Sequence, residues 1–125
     1  MRSLALFAAL AALSLSPLPA EAAGAVPTKV GQCVATKIKE IATRLEGVAD
    51  SGSLVVYANG IVGESYDTIA PITKARVGDK ITLCLTSLPK NCPPGDDRGK
   101  FYSAVDLRTH GKWNLPDAEH MCGGA

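Results

Sequence analysis

The sequence predicts a mostly β domain, a small antiparallel barrel-like or sandwich fold stapled by two disulfides. Three observations carry this. Short runs of alternating or β-branched residues recur between turn residues. An Asn59-Gly60 pair sits between two such runs. Four cysteines occur in a chain whose start reads as an export signal.

The export signal comes first. Met1-Arg2-Ser3 precedes an apolar run from Leu4 to Leu15, and Pro17, Pro19 and Ala20-Glu21-Ala22 follow. A basic start, an apolar stretch and an Ala-x-Ala site make a secretory signal peptide over 1–22. The run is too short to span a bilayer. Cleavage after Ala22 leaves 23–125 as a single exported domain. One arginine and one glutamate leave with the signal, so the net charge is unchanged. No second long apolar run remains, so no membrane span is expected, and the location expected is periplasmic or secreted.

Residues 23–32, with Pro27 and Gly31, read as an extended lead-in. The segment 33–46 fits two patterns. Val34, Ile38, Ile41 and Leu45 have helical spacing, whereas its β-branched content and the alternation Val34, Thr36, Ile38, Glu40 suit a strand. A strand with a bulge near Glu40-Ile41 fits the rest of the chain better, with a single helix as the alternative. Asp50-Ser51-Gly52-Ser53 is a turn, Leu54–Tyr57 a strand, and Ile61–Tyr66 its return after Asn59-Gly60. Pro71 and Val77-Gly78-Asp79 lead into a strand at Ile81–Leu88. After a loop rich in proline and glycine at 91–99, Lys100–Leu107 alternates again. His110-Gly111 turns the chain into a last strand around Trp113. Tyr57, Tyr66, Phe101, Tyr102 and Trp113 are expected in the core or on sheet faces.

In an oxidising compartment Cys33, Cys84, Cys92 and Cys122 read as disulfides, with three pairings open. Cys84 alternates with Ile81, Leu83 and Leu85, so it points away from the core. The turn at 88–91 suggests 84–92, which leaves 33–122. A zinc site would need Cys-x2-4-Cys spacing, which is absent.

Charge and motifs narrow the function. Lys plus Arg is 13 and Asp plus Glu is 12, a net charge of +1. That balance speaks against a nucleic-acid partner. No phosphate loop, nucleophile elbow or calcium loop occurs, and no cofactor is expected. His110 and His120 lack a companion nucleophile. Carboxylates such as Glu64, Asp67 and Asp106 carry no signal of an acid in an apolar pocket. The densest polar feature is Pro93-Pro94-Gly95-Asp96-Asp97-Arg98-Gly99. It reads as a stiff presented loop or as a turn whose aspartates bond their own backbone or Arg108. A possible binding surface therefore comprises Asp96, Asp97, Arg98, Arg108, Ser51 and Tyr57.

Two resemblances extend this reading. Cys92-Pro93-Pro94-Gly95-Asp96-Asp97-Arg98-Gly99, with Leu107-Arg108-Thr109, Trp113-x-Leu115-Pro116-Asp117 and His120-x-Cys122-Gly123-Gly124-Ala125, resembles small exported disulfide-bearing bacterial proteins of unassigned function. Ser51-Gly52 followed by Tyr57 is similar to a motif of periplasmic lysozyme inhibitors, in which the Ser-Gly loop enters the enzyme's cleft. Their companion Tyr, Lys-Gly and aromatic motif is not reproduced, since this chain has Gly111-Lys112-Trp113. The expected function is an exported binding module without a catalytic site, engaging a protein or small ligand in the envelope or outside the cell. The alternatives are a protein inhibitor and an envelope structural or accessory protein.

Overall fold

The computed structural model describes residues 11–14 and 24–124. The signal segment expected at 1–22 lies almost wholly outside the described residues. Six antiparallel strands and one short helix follow in the order β1 (Cys33–Thr43), β2 (Ser53–Tyr57), β3 (Val62–Ser65), α1 (Ala70–Lys74), β4 (Lys80–Ser87), β5 (Phe101–Asp106) and β6 (Lys112–Pro116). They form one sheet of order β3-β2-β1-β4-β5-β6, curled into a half-barrel. The expected mostly β class is the one observed.

The segment 33–46 is not helical. It is the long central strand, and its register slips between Ile38 and Glu40. This bulge lets β1 serve two halves of the sheet. Its first half pairs with β4 and its second with β2. An inserted residue bends a strand and sharpens its twist, which is how a single sheet curls on itself. Side chains on the concave face then meet. Ile38, Val55, Tyr57, Ile81, Leu83, Leu85, Tyr102, Trp113 and Leu115 are buried there. The far edges approach one another where β6 packs on β3. A Cβ on Gly63 would sit 3.1 Å from Val55 and 3.4 Å from Leu115, so the bare backbone there makes room for the Leu115 side chain.

Tyr57 lies at the centre of this core, 2% exposed, and its hydroxyl accepts a 2.8 Å bond from the Trp113 indole. Burial pushes its pKa up to about 12. Tyr102 is also buried, Phe101 is half-buried on the convex face, and Tyr66 is exposed. Helix α1 was not anticipated. Pro71 opens it, and no side chain caps it, but the Ser53 hydroxyl accepts the N–H of Ile69, the residue that leads into the helix, at 2.8 Å and so anchors its start. Only Ile72 of the helix is buried.

The cysteine pairing differs from the expected one. Cys33 bonds Cys84 and Cys92 bonds Cys122. Cys84 does point away from the core, as its alternation requires, but the partner waiting there is the residue directly across the ladder, Cys33. Cys92 is left to hold the C-terminal segment, which also bonds the 93–99 loop through Cys122 N–H to the Arg98 carbonyl.

Candidate functional site

The residues proposed from sequence as one binding surface are not brought together. Tyr57 belongs to the core and presents nothing to solvent. Ser51 turns inward, its hydroxyl donating to the Val48 carbonyl at 2.7 Å and accepting the Leu45 N–H at 3.0 Å. Its neighbour Gly52 has φ +117°, and a Cβ there would collide with the Ser65 carbonyl. The Ser51 loop is thus tightly seated.

The aspartates of the 93–99 loop are spent within it. Asp96 accepts both Nε and Nη2 of Arg98 at 2.9 Å and the Gly123 N–H at 3.0 Å. The Arg98 hydrogen bond is the main reason that its carboxyl is held far below the usual carboxylate range. Asp97 meets Lys100 at 2.7 Å. This is the turn reading of the loop, with one correction. The guanidinium involved is Arg98, not Arg108.

Arg108 instead reaches a buried carboxylate pair. Its Nε donates to Asp79 Oδ1 at 2.7 Å and its Nη2 to Asp79 Oδ2 at 3.0 Å, while Nη2 also reaches the Lys74 carbonyl at 3.1 Å. Asp79 Oδ2 accepts the Arg76 N–H at 3.0 Å. Beside it lies Asp106, 0% exposed, whose Oδ1 accepts the N–H groups of Arg108 and Thr109 at 2.9 and 3.3 Å. Asp106 Oδ2 has no N–H or O–H donor from another residue. Burial first, then the hydrogen bond with Asp79, raise the Asp106 pKa. Arg108 first, then Asp106, hold Asp79 well below the carboxylate range. The opposite shifts make Asp79, held by Arg108, the carboxyl of the pair that ionises more readily. Asp106 is closed to any substrate, so the pair works as a clasp between the 75–79 turn and the 107–111 turn.

Helix α1 and the 107–111 turn frame a shallow groove of about 270 Å³, lined by Ala70, Pro71, Lys74, Thr109, His110 and Gly111. His110 sits at φ +62° and its backbone N–H is tied to the Asp106 carbonyl at 2.8 Å. Neither histidine ring bonds a serine or a carboxylate among the described residues. There too, no group of three His, Cys, Asp or Glu is placed to hold a metal ion.

The sequence reading missed the charges around this groove. Lys74, Arg76, Lys80 and Lys112 are exposed and unpaired with any carboxylate among the described residues, and Lys37, also exposed, stands directly opposite Lys80. The other ion pairs lie elsewhere, at Arg44–Glu119, Arg98–Asp96 and Lys100 with Asp97 and Asp117. A signal existed, since residues 74–80 and 107–112 are both rich in basic residues. Only the fold shows that they adjoin. No family model, curated protein or solved structure matches the chain.

Proposed function

We propose that this chain is an exported binding module whose working region is its cationic end: the groove between α1 and the 107–111 turn with the basic residues around it. The observation that carries this is the segregation of charge. Lys74 lines the groove and Arg76, Lys80 and Lys112 lie on the segments next to it, none with a carboxylate partner among the described residues, while Asp96 and Asp97 of the 93–99 loop are paired with Arg98 and Lys100. Like charges held together on a surface repel, and an anionic ligand relieves that repulsion. The Asp79–Arg108 clasp supports the reading, because it fixes both rims of the groove. Two disulfides are consistent with an oxidising location outside the cytoplasm, and the export signal refines this to the periplasm or beyond the cell.

The test is binding of the oxidised protein from Ala23 onward to a panel of anionic ligands: polyphosphate, an acidic polysaccharide and anionic lipid vesicles. At least one is expected to bind, and Lys74→Glu with Arg76→Glu should weaken it more than tenfold, as removal of two attractive contacts and addition of two repulsive ones implies. No binding to any of them, or equal binding by the variant, overturns the proposal.

A further inference from the structure

We infer that the cationic end is a docking face for an anionic lipid bilayer, an inference that rests on the binding reading above and names its partner. The argument starts from what stands out of the molecule there. The 75–79 turn carries Val77 at its tip, 64% exposed, and the 107–111 turn carries Leu107, 51% exposed. The Arg108–Asp79 clasp holds the two turns side by side, and Leu107 N–H donates to the Lys80 carbonyl. Two aliphatic side chains therefore project next to each other, flanked by Arg76, Lys80 and Arg108.

The convex face of the sheet continues this patch. Ala35, Thr82, Val105 and Lys112 align across four strands on this exposed and half-buried face, and Lys37 and Lys80 share the parity of Ala35 and Thr82. Between the lysines the side chains are small. The face offers spread positive charge and no deep pocket, which suits a surface better than a single small anion. Each basic residue near an anionic leaflet contributes about 1 kcal/mol, and apolar tips gain by entering the headgroup boundary. Of the exposed aliphatics elsewhere, Leu45 and Val48 lie beside Glu46 and Asp50, where an anionic surface would be repelled, and Val30 and Leu88 lie beside only single lysines, Lys29 and Lys90, rather than a cluster.

Cosedimentation with vesicles decides the matter. The oxidised protein is expected to sediment with phosphatidylglycerol–phosphatidylcholine vesicles, to stay in solution with pure phosphatidylcholine, and to be released at about 0.5 M salt, where charges are screened beyond a few ångströms. Lys37→Gln with Lys80→Gln should weaken binding about fivefold or more per charge removed. Val77→Ser with Leu107→Ser should weaken it at equal charge. Lys90→Gln, on the distant 88–92 loop, should leave it within about twofold. These side chains are exposed, so the fold survives their replacement. Equal sedimentation with both vesicle types, none with either, or no effect of the lysine and tip variants overturns the inference. Binding of soluble polyphosphate or acidic polysaccharide without any binding to vesicles also overturns it, yet leaves the anion-binding reading standing. Failure of every anion overturns both.

Discussion

At the residue scale the Asp79–Asp106 pair gives the clearest thermodynamic handle. Asp106 is favoured in its neutral form by folding, so its contribution is complete below the ordinary aspartate range and is lost as pH rises through its raised pKa. Asp79 has the opposite sign. Its contribution is present above the ordinary range and is lost as pH falls through its lowered pKa. Asp106→Asn isolates the first effect. The amide carbonyl can accept the Arg108 and Thr109 N–H groups, and its uncharged NH2 faces Asp79 in place of a second ionisable oxygen. Thermal melts should show the wild type losing stability as pH rises from the ordinary aspartate range through the raised pKa of Asp106, while the variant stays level over that window. A variant that declines in parallel with the wild type would show that Asp106 holds no such proton.

At the element scale the two disulfides do different work. Cys33–Cys84 joins strands that already pair, whereas Cys92–Cys122 ties the C-terminal segment to a loop. Replacing Cys92 and Cys122 with serine should raise hydrogen exchange throughout 117–124 by more than about tenfold while the β1 and β4 amides stay protected, because local opening costs less than global unfolding. Loss of protection across the whole sheet would contradict this division. Most elements were legible in the sequence because their chemistry is local. Asn59-Gly60 makes its hairpin, and β4 and β5 alternate buried with partly exposed residues along most of their lengths. The strand character of β1 was legible because its β-branched content and the β character of the rest of the chain outweighed a helical spacing, and the register slips between Ile38 and Glu40, just before the expected Glu40-Ile41. Helix α1 was not legible: its five residues are too few for a periodicity, it has no side-chain cap, and the bond that anchors its start comes from Ser53, 16 residues before Ile69 in the chain. The cysteine pairing failed for a related reason. Nearness of Cys84 to Cys92 along the chain carried the expectation, but the pairing is settled by cross-strand alignment. In the candidate site, the turns at 77–80 and 110–111 were visible, but their contact through Arg108 was not, and the overall charge balance concealed the local excess.

At the scale of the whole molecule, the half-barrel is small enough for its covalent links to matter. In the chain-entropy model a closure of 51 residues is worth about 4 kcal/mol and one of 30 somewhat less. A domain of this size has a net stability of about 5–15 kcal/mol. Reduction of both bonds should therefore lower the melting temperature by more than about 10 °C. An unchanged melt under reducing conditions would show that the core alone suffices.

One covalent detail has an electrostatic result. Cys33 faces Cys84 across the β1–β4 ladder, and four residues along each strand Lys37 faces Lys80. Like charges directly opposed would ordinarily favour a slide of one strand past the other. The sulfur bridge acts as a pin through both strands, so the repulsion cannot be relieved by changing alignment. The two lysines splay into solvent but stay opposed on one strand pair, where a partner that brings negative charge from outside meets both.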